Sequence, residues 1–257
     1  MLPKNKKQAG AATLGKKIEK GHLHPLTSIH KEIIEIFASL DFEIAEGPEM
    51  ETEYYNFDAL NIPGDHPARD MWDTFWIKEP KNFVLRTHTS PVQVRYMEKH
   101  KPPFRIIAPG RCYRYEATDA SHETTFNQVE GLMIGKNITL ANLKGFLTLF
   151  MKKLYGEDVK FRWQPSFFPF VEPGLELLMS CTICKGKGCP VCKETGWIEI
   201  IPCGMVHPQV LKNVNLDPQE WQGFAFGMGL DRIAMMKYKI DDIRLFYSSD
   251  LRFLKQF

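Results

Sequence analysis

RIIAPGRCYRYEATDASHETTFNQVEGLMIG, residues 105–135, decides the fold class. Residues 105–117 and 126–135 read as two antiparallel strands joined by the polar loop ATDASHETT. Successive side chains of a strand point to opposite faces. Cys112, Arg114 and Glu116 therefore face one way on the first strand, with Tyr113 and Tyr115 on the other side. On the return strand Phe126, Gln128 and Glu130 share a face. Arg114, Glu116, Gln128 and Glu130 together make either a polar, mixed-charge floor or a plain solvated face. Alternation leaves both open, and leaves open whether Phe126 belongs with the core.

Downstream, Leu140 to Tyr155 has the apolar periodicity of an amphipathic helix and Gly156 to stop it. Further strands are expected at 159–164, 174–180 and 197–201, then a strand at 223–226, a glycine turn and a helix over 230–238. Upstream, Ile29, Ile33, Ile34, Phe37 and Leu40 recur at helical spacing, and Gly47-Pro48 breaks the extended stretch that follows. The segment 56–76 is a long loop whose aromatics, Phe57, Trp72, Phe75 and Trp76, argue against disorder. Phe83 to Thr87 reads as a strand running into Ser90-Pro91, an N-cap followed by proline at the first helical position. Adjacent strands outnumbering helices predict an α+β domain, an antiparallel β-sheet flanked by helices.

Composition narrows the class. The chain has 257 residues, 44% apolar and 25% charged, enough to bury a sizeable core. Lys and Arg total 33 against 31 acids, a net charge of +2 that excludes a purely electrostatic nucleic-acid binder but allows a local basic patch. No apolar run approaches a membrane span, and the start lacks a signal-peptide h-region, so a cytoplasmic protein is expected. The first twenty residues carry six lysines against one acid and read as a flexible basic extension, either a solubilising tail or an RNA contact.

Four of six cysteines, Cys181, Cys184, Cys189 and Cys192, stand in the spacing C-x2-C-x4-C-x2-C. Ligands this close suit a tetrahedral zinc held from two tight turns, for which Gly186 and Gly188 give the backbone freedom. With all four thiolates committed the zinc is structural; the alternative is a reduced, metal-free cluster. Cys112 and Cys203 read as buried small residues. GFAFGMGLDR, residues 223–232, fails the dinucleotide fingerprint because Arg232 occupies the third glycine's place. It leaves Gly227 and Gly229 beside a fixed positive charge, suited to a phosphate. In PSFFPFVEP, residues 165–173, Phe168 and Phe170 are either core or the walls of an aromatic slot. HETTF (122–126) lacks the second histidine of a zinc protease, and no nucleophile elbow occurs, so nothing suggests hydrolysis by a triad.

Taken together, GPEMETEYYNFDALNIPGDHPARDMWDTFW, RTHTSPVQ, PGRCYRYEATDASH, FNQVEGL, FFPFVEP, GKGCPVCKETGW, CGMVHP and GFAFGMGLDR resemble the catalytic domain of phenylalanine–tRNA ligase alpha subunits, which are class II aminoacyl-tRNA synthetases. The resemblance runs from GHLHP at 21–25 to Phe257 and implies one catalytic domain over 21–257, with a zinc-binding insertion at about 181–192. It implies activation of L-phenylalanine by ATP and transfer to tRNA(Phe). A substrate carboxylate is already ionised, so no general base is needed, and positioning with charge stabilisation by arginine and magnesium carries the first step.

By resemblance Pro48 marks the first class II motif, at a dimer-forming helix–strand junction. Arg114 binds the α-phosphate, Glu116 contacts the adenine side, Phe126 stacks on adenine and Arg232 holds the γ-phosphate. Glu172 takes magnesium. His88, Ser90, Gln128 and Glu130 surround the α-ammonium, with Trp72 nearby and Gln93 towards the carboxyl group. Phe168 and Phe170 sandwich the substrate ring, and Ala225 limits the pocket floor. The family's usual partner is a beta subunit, in a tetramer of two alpha and two beta chains. The long coiled-coil arm that usually opens bacterial alpha subunits has no counterpart before residue 21, only the lysine-rich stretch. Asn127 replaces the histidine common in FHQ, where a retuned hydrogen bond is expected, and Cys112 and Pro202 stand where valine and glycine are more frequent. Two other readings remain: a binding or regulatory subunit that has lost catalysis, which would lack Arg114 and Arg232, and activation with an acceptor other than tRNA.

Overall fold

The computed structural model describes residues 21–69 and 73–257; the basic extension at 1–20 and Trp72 lie outside the described residues. In chain order the elements are α1 (Pro25–Ala38), β1 (Glu43–Ile44), β2 (Met50–Thr52), α2 (Glu53–Asn56), β3 (Phe83–Leu85), α3 (Ser90–Lys99), β4 (Phe104–Tyr113) and β5 (Thr125–Gly135). Then follow α4 (Leu140–Tyr155), β6 (Phe161–Pro165), β7 (Val171–Ser180), β8 (Trp197–Val206), α5 (Pro208–Asn213), β9 (Gln222–Gly229), α6 (Leu230–Tyr238) and α7 (Leu251–Leu254). Seven strands form one sheet in the order β1-β4-β5-β9-β8-β7-β6, while β2 and β3 pair separately. Every neighbour in the large sheet is antiparallel except the edge pair β1 and β4, which is parallel. The expected antiparallel sheet is thus present with one parallel strand added at its rim.

Helix α4 has the predicted bounds because both of its ends are written locally. Thr139 and Asn142 exchange the reciprocal bonds of a capping box, and Gly156 follows the last turn. Helix α1 starts at Pro25, with the His24 ring accepting from the Leu26 N–H. It packs on α4 and α6, and the three cover one sheet face. Phe37 is fully buried there, stacked 4.6 Å from Phe150 and 5.6 Å from Phe226. Truncating such a ring to alanine costs about 3–5 kcal/mol.

The opposite face is covered too, by α3, α5 and the turns at Asp58–Leu60 and Pro67–Arg69. Ile106, Ala108, Leu132 and Ile134 point that way, while Ile107, Val129, Phe224, Phe226 and Met228 point to the helices. Burial on both faces is why alternation in the central strands did not separate inside from outside.

Three local expectations need correction. The first strand ends at Tyr113 rather than 117, so Arg114 and Glu116 leave the strand pattern. The strand at 223–226 runs on to Gly229 and passes straight into α6 with no glycine turn; the Gly229 φ of −73° is ordinary backbone. Ser90 is not a cap: Thr89 occupies the N-cap position and Ser90 is the first helical residue. The HETTF segment sits beside an exposed turn closed by the Asp119 carboxylate, which accepts from the Ser121 and His122 N–H groups.

Candidate functional site

On the α3–α5 face lies a cavity of about 260 Å³. Its lining includes His88, Ser90, Gln93, Arg114, Gln128, Glu130, Phe168, Phe170 and Ala225, nine of the residues singled out in the sequence. Four strands and one helix supply part of the lining, while His88, Arg114, Phe168 and Phe170 come from the connections between elements. β5 supplies Gln128 and Glu130, β9 supplies Ala225, β8 supplies Pro202 and Cys203, β7 supplies Val171, and the start of α3 supplies Ser90 and Gln93.

Glu130 organises the polar end. Its carboxylate is 6% exposed and accepts from the Thr89 N–H at 3.0 Å, the Ser90 hydroxyl at 2.5 Å and the Gln93 amide at 2.9 Å. The Thr89 N–H and Ser90 belong to the α3 N-terminus, where unpaired N–H groups favour an anion. Gln93 thus donates to Glu130 while lining the cavity. Burial pushes the Glu130 carboxyl up to about 6, while Ser90, Thr89 and the charges of Arg114 and Arg86 pull it back. All three direct donors are neutral, so among the described residues the carboxylate has no salt-bridge partner of its own, and a bound cation would satisfy it.

Opposite Glu130 in the β5–β9 register stands Gly227, where an added Cβ would come within 3.2 Å of the Glu130 side chain. The absence of a side chain there makes room for the carboxylate. His88 is buried, and burial followed by the Arg114 charge pushes its imidazole down to about 3, so the ring is neutral. Gln128 accepts from the Cys112 thiol at 3.3 Å, and burial raises that thiol far above its ordinary range.

The apolar end is the aromatic pair. Phe168 and Phe170 lie 6.0 Å apart with planes 20° from parallel, and both line the cavity with Val171, Val206, Val210 and Ala225. Such a slot suits a flat apolar group.

A second constellation adjoins the cavity. The Arg114 guanidinium lies over the Phe126 ring at 4.9 Å, reaches Glu116 at 3.8 Å and donates through Nε to the Thr87 carbonyl at 3.1 Å. Arg114, Glu116 and Phe126 thus come together although the strand ends before Arg114. Arg232 stands on the first turn of α6, outside the cavity lining, and its charge acts on Glu176. Burial and the Glu199 charge push Glu176 up to about 7 against that influence. Glu172 also lies outside the lining, one residue from Val171, with its carboxylate 3.3 Å from the His207 ring.

The structure adds residues the sequence reading missed. Arg86 is 3% exposed; it donates to the carbonyls of Arg111, Gly47 and Pro48 and so binds β4 to the turn before β2. The available signal was Gly110 inside a strand, where a Cβ would fall 2.1 Å from the Arg86 guanidinium. Glu176 stood in no motif, while Val171, Pro202 and Cys203 lay in or beside motif strings that gave them no place in the lining.

The four cysteines converge at the β7–β8 connection. Their sulfurs lie within 4.8 Å of one another, at 3.9 Å for Cys181–Cys189, 3.8 Å for Cys184–Cys192 and 3.7 Å for Cys189–Cys192. A tetrahedral zinc with bonds of about 2.3 Å would set sulfurs about 3.8 Å apart. Backbone N–H groups of Gly188, Cys189 and Gly196 donate to the Cys184 and Cys192 sulfurs, as a thiolate set requires. Gly186 and Gly188 have φ of 77° and 99°, the freedom expected of them. The donor set and spacing fit zinc, with no open coordination position.

No helix among the described residues is long and apolar enough to cross a membrane. The model of the class II core domain of tRNA synthetases, of the phenylalanine type (F), matches residues 9–257. Among curated relatives, phenylalanine–tRNA ligase alpha subunits from Caldicellulosiruptor saccharolyticus and Geotalea daltonii are 57% and 58% identical, each over 95% of this chain and 71% of the relative. The alpha subunit from Syntrophobacter fumaroxidans is 56% identical with the same coverage. A core-domain match over nearly the whole length, together with this identity, agrees with a cavity that pairs an aromatic slot with a buried carboxylate. The chain belongs to the phenylalanine–tRNA ligase alpha subunit family and carries its class II synthetase core.

Proposed function

We infer that this chain activates L-phenylalanine with ATP and transfers the phenylalanyl group to tRNA(Phe), as the catalytic alpha subunit of the ligase. The observation that carries the reading is Glu130: a buried carboxylate with neutral donors, facing a cavity whose other end is the Phe168–Phe170 slot. An amino acid with a benzyl side chain presents an ammonium and a flat apolar ring, which complement those two ends. His88, Ser90 and Gln128 orient the ammonium with Glu130, which Ser90 and Gln93 hold in place, and Gln93 lies towards the carboxyl group. Ala225 sets the depth of the floor, and Trp72 keeps its assignment near the amino group by resemblance alone.

The nucleotide lies against Phe126, with Glu116 on the adenine side, Arg114 at the α-phosphate and Arg232 at the γ-phosphate. In the first step a substrate carboxylate oxygen bonds to the α-phosphorus and pyrophosphate leaves. Arg114 offers charge where the transition state becomes more negative, and the enclosed sheet holds the two reactants in line. Magnesium would neutralise phosphate charge. It takes one or two carboxylates together with phosphate oxygens, a role open to Glu172 and, beside Arg232, to Glu176. Zinc on Cys181, Cys184, Cys189 and Cys192 is structural.

The domain spans 21–257, works in the cytoplasm and pairs with a beta subunit in a tetramer of two alpha and two beta chains. Phenylalanine-dependent ATP–pyrophosphate exchange tests the activation step, and its absence would leave only a binding role. Charging of tRNA(Phe) with and without a beta subunit tests transfer; adenylate formation without charging in both cases would point to another acceptor. Elemental analysis is expected to find one zinc per chain, and clearly less in freshly purified protein would retire the zinc assignment.

A further inference from the structure

The segment after α6 is tied to three other parts of the fold at once. It runs through the turn Ile243–Phe246 to Tyr247. The Phe246 carbonyl meets the His24 ring at 3.0 Å, at the cap of α1. The Ile243 N–H donates to the Ala120 carbonyl at 2.9 Å, in the loop that follows Arg114 and Glu116. The Tyr247 hydroxyl donates to the Asp231 carboxylate and receives a 3.5 Å contact from the Asn127 amide.

Asp231 is where these contacts bear on the nucleotide half. The β5–β9 ladder ends at Gln128 opposite Gly229, because β9 becomes α6 at the next residue. Beyond that point the Asn127 N–H donates at 2.8 Å to the Asp231 carboxylate instead of to a strand. One carboxylate oxygen thus holds the strand end that carries Phe126, and the other is held by Tyr247. The residue after Asp231 is Arg232. Asp231 is 2% exposed, so losing either donor leaves a buried acceptor short of a partner. Burial, then the Asp231 charge, keeps the Tyr247 phenol above its ordinary range, so it remains a donor.

We propose that Tyr247 is a positioning residue for the nucleotide half of the site: its hydroxyl, bonded to Asp231 and Asn127, sets Arg232 and Phe126 relative to each other without touching substrate. The inference rests on the activity proposed above. It also gives Asn127 a reason, since its amide reaches the tyrosine hydroxyl and its N–H the carboxylate.

The test is phenylalanine-dependent ATP–pyrophosphate exchange by the full chain, with KM measured separately for ATP and phenylalanine. Tyr247→Phe keeps the ring and removes only the hydroxyl. The ATP KM is expected to rise about tenfold, the share of a charged hydrogen bond that reaches Arg232, while the phenylalanine KM stays within about twofold. Asp231→Asn is expected to raise the ATP KM further, and adding Tyr247→Phe to it to bring little more, because the two act through one contact. An unchanged ATP KM in Tyr247→Phe overturns the proposal. So does a parallel rise of both KM values with a falling melting temperature, which would mark general loosening. A wild-type chain without any exchange removes the underlying activity, and the inference with it, and is distinguishable because no variant is then needed to see it.

Discussion

The proposed phenylalanine half of the site and the proposed nucleotide half stand on the same sheet but are held in different ways. The first is a cavity whose polar anchor, Glu130, is fixed by Thr89, Ser90 and Gln93 before any ligand arrives. The second is a surface: Arg114, just past the end of β4, lies over Phe126 at the start of β5, Arg232 lies apart on α6, and their alignment runs through Asp231, Asn127 and Tyr247. The difference teaches where binding energy is needed. A buried carboxylate is costly until a cation reaches it, so the amino-acid half discriminates by charge and shape. The nucleotide half brings guanidinium groups to a polyanion that supplies its own charge, so geometry decides.

Variants that touch one half alone test this division. The largest effect is expected from Glu130→Gln, which keeps the volume and removes the charge facing the substrate ammonium. Loss of one partner of a buried charge pair costs about 3 kcal/mol or more, so kcat/KM for phenylalanine in the exchange assay should fall about 100-fold or more. The ATP KM should stay within about twofold, and a comparable loss on ATP would erase the division. Arg232→Lys should do the reverse. The lysine keeps the charge but not the planar fork, and the ATP KM is expected to rise about thirtyfold, near 2 kcal/mol, with phenylalanine nearly unaffected.

The pH dependence sharpens the comparison further. Burial places the Glu130 carboxyl at about 6 in the free site. Above that value the group is charged and ready for an ammonium; below it the proton must be displaced. The phenylalanine KM should therefore rise about tenfold for each pH unit below 6, and Glu130→Gln should flatten that slope. The smallest effect concerns the floor. Ala225→Gly removes one methyl group from the cavity, and exchange with para-chlorophenylalanine should improve severalfold relative to phenylalanine. No improvement would place the ring elsewhere.

The parts of this arrangement that were legible in the sequence are those whose determinants lie close together in the chain. Helix α4 was delimited by its apolar periodicity and Gly156, and the cysteines by their spacing. Strand ends were not legible. Past Tyr113 the Arg114 N–H still reaches Thr124 in register, but the Tyr115 N–H turns away to Asp73, and nothing in the local pattern announces that. β9 continues through Gly227 and Gly229, which resemble a turn signal, and of the two it is Gly227 that makes room for Glu130. The site residues came from resemblance more than from periodicity, since both sheet faces are covered and alternation is mute. Arg86 and Tyr247 escaped because their partners lie far along the chain. Ser90 and Gln93, expected beside the amino acid, both line the cavity, but their engagement with Glu130 needed the register of α3 against β5.

Calorimetric titration of L-phenylalanine into the chain at pH 7.5 without nucleotide tests the central claim most directly. A cavity fixed in advance should bind the amino acid alone, one per chain, and Glu130→Gln should abolish the heat while ATP still binds. Phenylalanine that binds only once ATP is present, or that binds the glutamine variant equally well, would contradict the account.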